Sequence, residues 1–198
     1  VTSDRFQRLL EDNRRWAADA VAGDPTFFER RAASQHPTFL FLGCSDSRVP
    51  AEAITGAEPG ELFVHRNIAN VAGNGDLSLL SVLTFAIDVL KIEEILVCGH
   101  QGCGGVAAAI SGTTGTLVDH WLAPIAEVAR RNADELAALP SDDARKRRLV
   151  ELNVQAQVAS LAGNTIVARA RETRPLPIHG LVYDIADGLL AEAVLDEG

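Results

Sequence analysis

Glu94-Ile95-Leu96-Val97-Cys98-Gly99-His100-Gln101-Gly102-Cys103-Gly104-Gly105 is the stretch that decides the fold. It opens as a short apolar run with β-branched residues and no polar alternation, the pattern of a strand buried on both faces of a parallel sheet. The run then meets glycine and two side chains that bind metals. Thr38-Phe39-Leu40-Phe41-Leu42, following Pro37, repeats the arrangement and leads into Gly43-Cys44-Ser45-Asp46-Ser47-Arg48. Glu61-Leu62-Phe63-Val64-His65 is a third run, entered from the turn signal Glu58-Pro59-Gly60. Between it and the Ile95 strand, Asp76 to Leu90 is apolar except for Ser78, Ser81, Thr84 and Asp88. That segment predicts a crossover helix capped by Asp76 and exposing little surface. Strand, strand, helix, strand in this order predicts an α/β fold, a mostly parallel central β-sheet flanked by helices.

Before the first strand, Phe6, Leu9, Leu10, Trp16, Ala17 and Ala20 fall at helical spacing with Asp and Arg between them, and Gly23-Asp24-Pro25 ends the pattern. This predicts an amphipathic N-terminal helical arm, residues 1–35, whose aromatic side chains and the following Phe27 and Phe28 pack on the body or on a partner subunit. After Gly105 the pattern turns helical over Val106 to Ile110, Leu117 to Leu139 and Ser141 to Leu161, with Pro124 placed near a first turn or at a kink. Pro177 to Asp184 returns to strand character, and Asp187-Gly188 predicts a tight turn into a second strand, Leu189 to Val194, closing a C-terminal β-hairpin. Nothing resembles a repeat or an interdomain linker, so residues 1–198 read as a single domain.

The chain has 198 residues, of which 47% are hydrophobic, enough for one sizeable core. Its 27 acidic side chains outnumber 18 basic ones, giving a formal charge of -9, which argues against a nucleic acid or an anionic membrane as partner. The basic run Arg145-Lys146-Arg147-Arg148 sits among acidic residues and reads as a solvated helix face. Three cysteines are an odd number for a disulfide framework and fit a reducing, cytoplasmic setting. Asp4, Arg5 and Glu11 break up the start of the chain, which has no signal-like apolar core, and no apolar run is long enough to span a bilayer.

Two strands that end in Cys44-x-Asp46 and His100-x-x-Cys103 bring four donors to the carboxyl edge of the sheet, where α/β folds bind ligands. Taken singly, each cysteine reads as a small buried hydrophobe and His100 as a satisfied core histidine. Together, two thiolates, an imidazole and a carboxylate make a tetrahedral zinc site, since magnesium and calcium prefer all-oxygen shells. Cys98 is assigned to the core.

The same stretches resemble the β-class carbonic anhydrases. The resemblance rests on Gly43 to Glu52, on Pro59 to Asn70, on Cys98 to Gly105, and on His179-Gly180 to Tyr183 with Asp187-Gly188-Leu189-Leu190. It implies one zinc per chain held by Cys44, His100 and Cys103, with carbon dioxide and bicarbonate as substrates in a homodimer or homotetramer. Four ligands would close the metal shell, but Arg48 is placed to pair with Asp46 and take it off the metal. The resemblance supports such a switch and makes Asp46 and Arg48 catalytic, Asp46 orienting the nucleophile, with the Gly104 amide holding bicarbonate. Some relatives bind bicarbonate at a second, inhibitory site built from tryptophan, arginine and tyrosine. Arg66 and Tyr183 match two of these, while Phe41 stands at the tryptophan position without an N–H donor. Phe63 and Phe85 are candidates for the cleft walls, and His65 and His179 for proton shuttling. Two other readings share this metal site: a hydrolase of carbon disulfide or carbonyl sulfide, and a non-catalytic zinc scaffold or redox sensor.

Overall fold

The structure, a computed structural model, describes residues 3–112 and 115–193. It divides into one unit ending at His36 and another beginning at Pro37. In the first, α1 (Asp4–Gly23) starts where the Ser3 hydroxyl accepts the Phe6 amide, and α2 (Phe27–Ala33) follows a turn in which Asp24 accepts the Thr26 amide and hydroxyl. Trp16, Phe27 and Phe28 meet edge to face across that turn. No residue of either helix is buried, and Phe6, Leu9 and Trp16 lie exposed.

The second unit begins with β1 (Phe39–Cys44), α3 (Ala51–Thr55) and β2 (Leu62–Asn67). Next come α4 (Leu77–Thr84) and β3 (Glu94–His100), then α5 (Gly104–Ser111), α6 (Leu117–Arg131), α7 (Ala133–Ala137), α8 (Asp142–Ala162) and α9 (Thr165–Arg171). The chain returns to the sheet as β4 (Ile178–Tyr183) and β5 (Leu190–Glu192). The five strands run in the order β2-β1-β3-β4-β5, parallel until β5, which pairs antiparallel with β4. Leu40, Leu42, Ile95 and Val97 point into the larger core, where Leu83, Leu122, Leu149 and Val154 from the helices cover them. Burying each such side chain contributes about 1.5–3 kcal/mol. Phe41 and Cys98 point to the other face and form a smaller cluster with Ala51.

Several expectations need correction. Asp76 caps α4 through the Ser78 and Leu79 amides, and a wide π turn over Phe85–Leu90 continues it. This segment is not hidden, because Leu77 is 77% exposed and Val89 60%, an apolar face that the chain alone leaves uncovered. The expected helix from Leu117 to Leu139 breaks at Asn132 into α6 and α7, and Pro124 lies inside α6 rather than in its first turn. α9 was not foreseen; the Asn164 side chain starts it by accepting the Ile166 amide. The hairpin loop runs from Asp184 to Leu189, since Tyr183 pairs with Leu190, so Asp187-Gly188 is part of a wider loop and not a two-residue turn. Val194 lies outside the described residues. The basic run stays at the surface as expected, with Arg145 paired to Asp142, Arg147 to Asp184 and Arg148 to Glu135 and Glu151.

Candidate metal centre

β1 and β3 are parallel neighbours with Gly43 opposite Cys98, so their carboxyl ends lie side by side. Cys44 closes β1 and His100 closes β3. Beyond His100 the chain turns at Gly102, whose φ of 72° is the left-handed region that glycine enters without steric cost, and Cys103 becomes the N-cap of α5. The ligand atoms of Cys44, His100 and Cys103 all lie within 4.8 Å of one another and all three residues are buried. Among the described residues no other group of three or more His, Cys, Asp or Glu converges in this way.

The donors fit zinc. The Cys44 and Cys103 sulfurs are 4.0 Å apart, and two sulfurs on one tetrahedral zinc stand about 3.8 Å apart. His100 Nδ1 lies 3.1 Å from the Gln101 carbonyl oxygen and donates to it, which fixes the tautomer that leaves Nε2 bare. That Nε2 is buried without a partner. Such an orphaned polar atom costs about 1–3 kcal/mol, and a metal ion satisfies it. The thiols are mutually perturbed: hydrogen bonding between them draws Cys44 below the ordinary thiol range and, with burial, pushes Cys103 above it. A coordinated cation removes that competition by deprotonating both.

Asp46 stands outside this trio. Arg48 Nε donates to Oδ1 at 3.0 Å and a terminal nitrogen to Oδ2 at 2.7 Å, a bidentate pair, while the Arg48 amide adds a third bond at 3.0 Å. Asp46 Oδ2 still reaches to 3.8 Å from His100 Nε2, at the rim of the ligand group. The guanidinium holds the Asp46 carboxyl far below its ordinary range. The folded state therefore binds fewer protons at this group than the unfolded chain, so its contribution to stability is complete above the unfolded pKa of about 3.9 and is lost as pH falls below it. In metal-free protein the difference in Tm between wild type and Arg48→Ala is expected to hold constant from about pH 8 to 5 and to close below about pH 4. A gap that closes near neutrality would show that the pair is not formed.

Two further contacts at the site were not legible in the sequence. Arg66 donates through Nε to the Cys44 carbonyl at 2.8 Å and through a terminal nitrogen to the Asp46 carbonyl at 2.6 Å, so it fixes the backbone between the two residues. The Ala69 amide lies 3.3 Å from Cys44 Sγ and donates to it. Phe41 and Tyr183 belong to the small cluster on the other sheet face. Phe41 is fully buried with its ring over Gly43, where a Cβ would come within 2.4 Å of it. Cys98 is in that cluster too, and burial pushes its thiol up to about 12.

Gly104 opens α5 with free space at its Cα, and a cavity of about 260 Å³ touches the Gly102, Cys103 and Gly104 segment beneath Asp143 and Lys146 of α8. Phe63 stacks on Phe85 with ring centroids 5.8 Å apart. His65 is buried, which pushes its pKa down and favours the neutral ring, and its Nε2 has no partner. His179 is half-buried and pairs with Glu94 at 2.7 Å.

A family model described as carbonic anhydrase matches residues 39–190. A carbonic anhydrase of Emericella nidulans is 45% identical over 190 residues, covering 96% of this chain and 83% of that protein. One from Pseudomonas aeruginosa is 41% identical, covering 91% and 84%. Among solved structures, a tetrameric β-carbonic anhydrase of Sordaria macrospora superposes with a TM-score of 0.93 at 39% identity, covering 96% of this chain and 97% of that one. The Coccomyxa β-carbonic anhydrase, solved in complex with acetazolamide, superposes at 0.92 with 41% identity, covering 96% and 86%.

Proposed function

The chain belongs to the β-class carbonic anhydrases, and from that premise we propose how its own residues divide the work. Its reaction is the reversible hydration of carbon dioxide to bicarbonate and a proton, a lyase activity. The observation that carries the assignment of roles is the convergence of Cys44, His100 and Cys103 with Asp46 held aside by Arg48. We assign one zinc per chain to the first three; when bound it supplies a Lewis acid that brings the pKa of a water from 15.7 toward about 7.

Asp46 is ionised and acceptor-only, so it would accept a hydrogen bond from the O–H of the attacking oxygen nucleophile and orient its lone pair toward carbon. As the C–O bond forms, one carbonyl π pair moves onto oxygen, and the Gly104 amide donates to that developing charge. Arg48 keeps the carboxylate from becoming a fourth ligand, and Arg66 holds the Cys44–Asp46 backbone in place. A non-catalytic scaffold has no use for an arginine that withdraws one donor from the metal.

Phe41, Arg66 and Tyr183 remain the candidate residues for a second bicarbonate site. The commitment of Arg66 to two backbone carbonyls and the burial of Phe41 favour bicarbonate acting only as product. Three unpaired buried cysteines support a reducing, cytoplasmic location. No helix among the described residues is long and apolar enough to cross a membrane. The exposed Leu77, Phe85 and Val89, together with the arm's Phe6, Leu9 and Trp16, support assembly as a homodimer or homotetramer.

The test is stopped-flow indicator kinetics on zinc-loaded protein with carbon dioxide, carbon disulfide and carbonyl sulfide in parallel. Carbon dioxide is expected to turn over fastest, with hyperbolic, competitive inhibition by bicarbonate. Faster turnover of either sulfur compound would reassign the substrate, and sigmoidal inhibition abolished by Arg66→Ala would restore the second bicarbonate site.

A further inference from the structure

The Ala69 amide that donates to Cys44 Sγ sits in an expensive piece of backbone. Ala69 and Asn70 are consecutive non-glycine residues with φ of 61° and 49°, and each such residue costs about 1–3 kcal/mol and persists only where its surroundings over-determine it. Here the surroundings are explicit. The Asn67 side chain accepts the Val71 amide and donates to the Val71 carbonyl, both at 2.8 Å, clamping the turn across its base. Trp121 Nε1 donates to the Ile68 carbonyl at 2.8 Å.

From beneath, α8 supplies a ladder of side-chain amides. Asn153 Nδ2 donates to the Ala69 carbonyl at 3.1 Å, Gln157 Nε2 donates to Asn153 Oδ1 at 2.9 Å, and Gln157 Oε1 accepts the Ala72 amide at 2.7 Å. Ser160, a further turn along, donates to the Ala72 carbonyl at 2.7 Å. Asn153 is 1% and Gln157 4% exposed. Two buried amides at i and i+4 on a helix otherwise packed with Leu149, Val150, Val154 and Leu161 serve no helical purpose of their own. Both ends of the ladder terminate on the left-handed turn.

We propose that Asn153 and Gln157 are positioning residues for the metal: by holding the Ala69–Ala72 backbone they keep the Ala69 N–H on the Cys44 sulfur. A hydrogen bond to a thiolate withdraws charge that the sulfur would otherwise give the metal, so the ladder sets both how tightly the ion is held and how strong an acid it is. This rests on Cys44 being a metal ligand.

The experiment uses the full chain with cobalt(II) in place of zinc and reads the sulfur-to-cobalt charge-transfer band, together with metal retention against a chelator. Asn153→Leu keeps the side-chain shape and removes the polar atoms. It is expected to move the band and to weaken retention by about tenfold, the lower end of what outer-shell substitutions cost. Gln157→Met, one step further from the sulfur, shifts the band in the same direction by less, and carries the test if Asn153→Leu does not fold. Leu161→Ala destabilises the same helix without touching the ladder, and its band is expected to match wild type.

Wild-type spectra and metal retention in Gln157→Met and in any folded Asn153→Leu would overturn the proposal, as would an equal band shift in Leu161→Ala. A wild-type protein with no sulfur-to-cobalt band would instead remove both Cys44 and Cys103 as ligands, and a band unchanged in Cys44→Ser would remove Cys44; either result takes the proposal with it.

Discussion

Replacing His100 by alanine is expected to strip the metal and to lower carbon dioxide hydration at pH 7 by roughly a thousandfold or more, because the reaction then falls back on a water of pKa near 15.7 in place of one near 7. Its Nδ1 proton goes to the Gln101 carbonyl and its Nε2 is buried with no hydrogen-bond partner. Removing it leaves two sulfurs 4.0 Å apart without a third fixed donor. Metal content by mass spectrometry and stopped-flow turnover check this together. Cys98→Ala is the control, since that thiol lies in the Phe41 cluster and its loss is expected to leave metal content unchanged. A His100→Ala protein that retains stoichiometric metal and a tenth of wild-type turnover would sink the ligand assignment.

Asp46→Ala is expected to do the opposite with the metal and nearly as much to the rate: zinc stays bound, while kcat falls about a hundredfold or more, the usual worth of a positioned proton acceptor. Three ligands remain, so affinity for the ion survives. What disappears is the acceptor that orients the nucleophile, a group held ionised by a bidentate guanidinium. Arg48→Ala separates the two duties of the pair, because Asp46 then remains present and is free to swing onto the metal. Its expected signature is a low rate with metal held at least as tightly as in wild type. Near-normal turnover in Asp46→Ala would remove the dyad from the mechanism.

The convergence of Cys44, His100 and Cys103 and the sheet were legible because they rest on local pattern. Continuous apolar runs meeting glycine placed β1 and β3, a third run entered from Glu58-Pro59-Gly60 placed β2, and Asp76 announced α4. The hairpin loop was read too short because turn width is not fixed by a dipeptide, and Pro124 sits inside α6, the position for which the sequence offered a kink as its second reading. Asn153 and Gln157 were polar residues in an apolar helical stretch, a signal visible in the sequence, but their targets lie more than eighty residues away. Arg66 was singled out only as a candidate for a second bicarbonate site, and its bonds to the carbonyls of Cys44 and Asp46 had no signal in the sequence. Only the pairing of β1 with β2 brings those groups within reach.

The sequence by itself determined which atoms could bind a metal and that they follow buried strands, since residue type and hydrophobic run length are local properties. Tertiary structure decided the rest. Spacing placed Arg48 to pair with Asp46 and left open which partner the carboxylate takes; in the structure a fork of guanidinium donors meets both its oxygens. A left-handed turn distant in sequence turns its amide onto Cys44, because α8 packs beneath it and satisfies the carbonyls on its other side. Such contacts depend on where the backbone is carried in space, and spacing along the chain does not encode that.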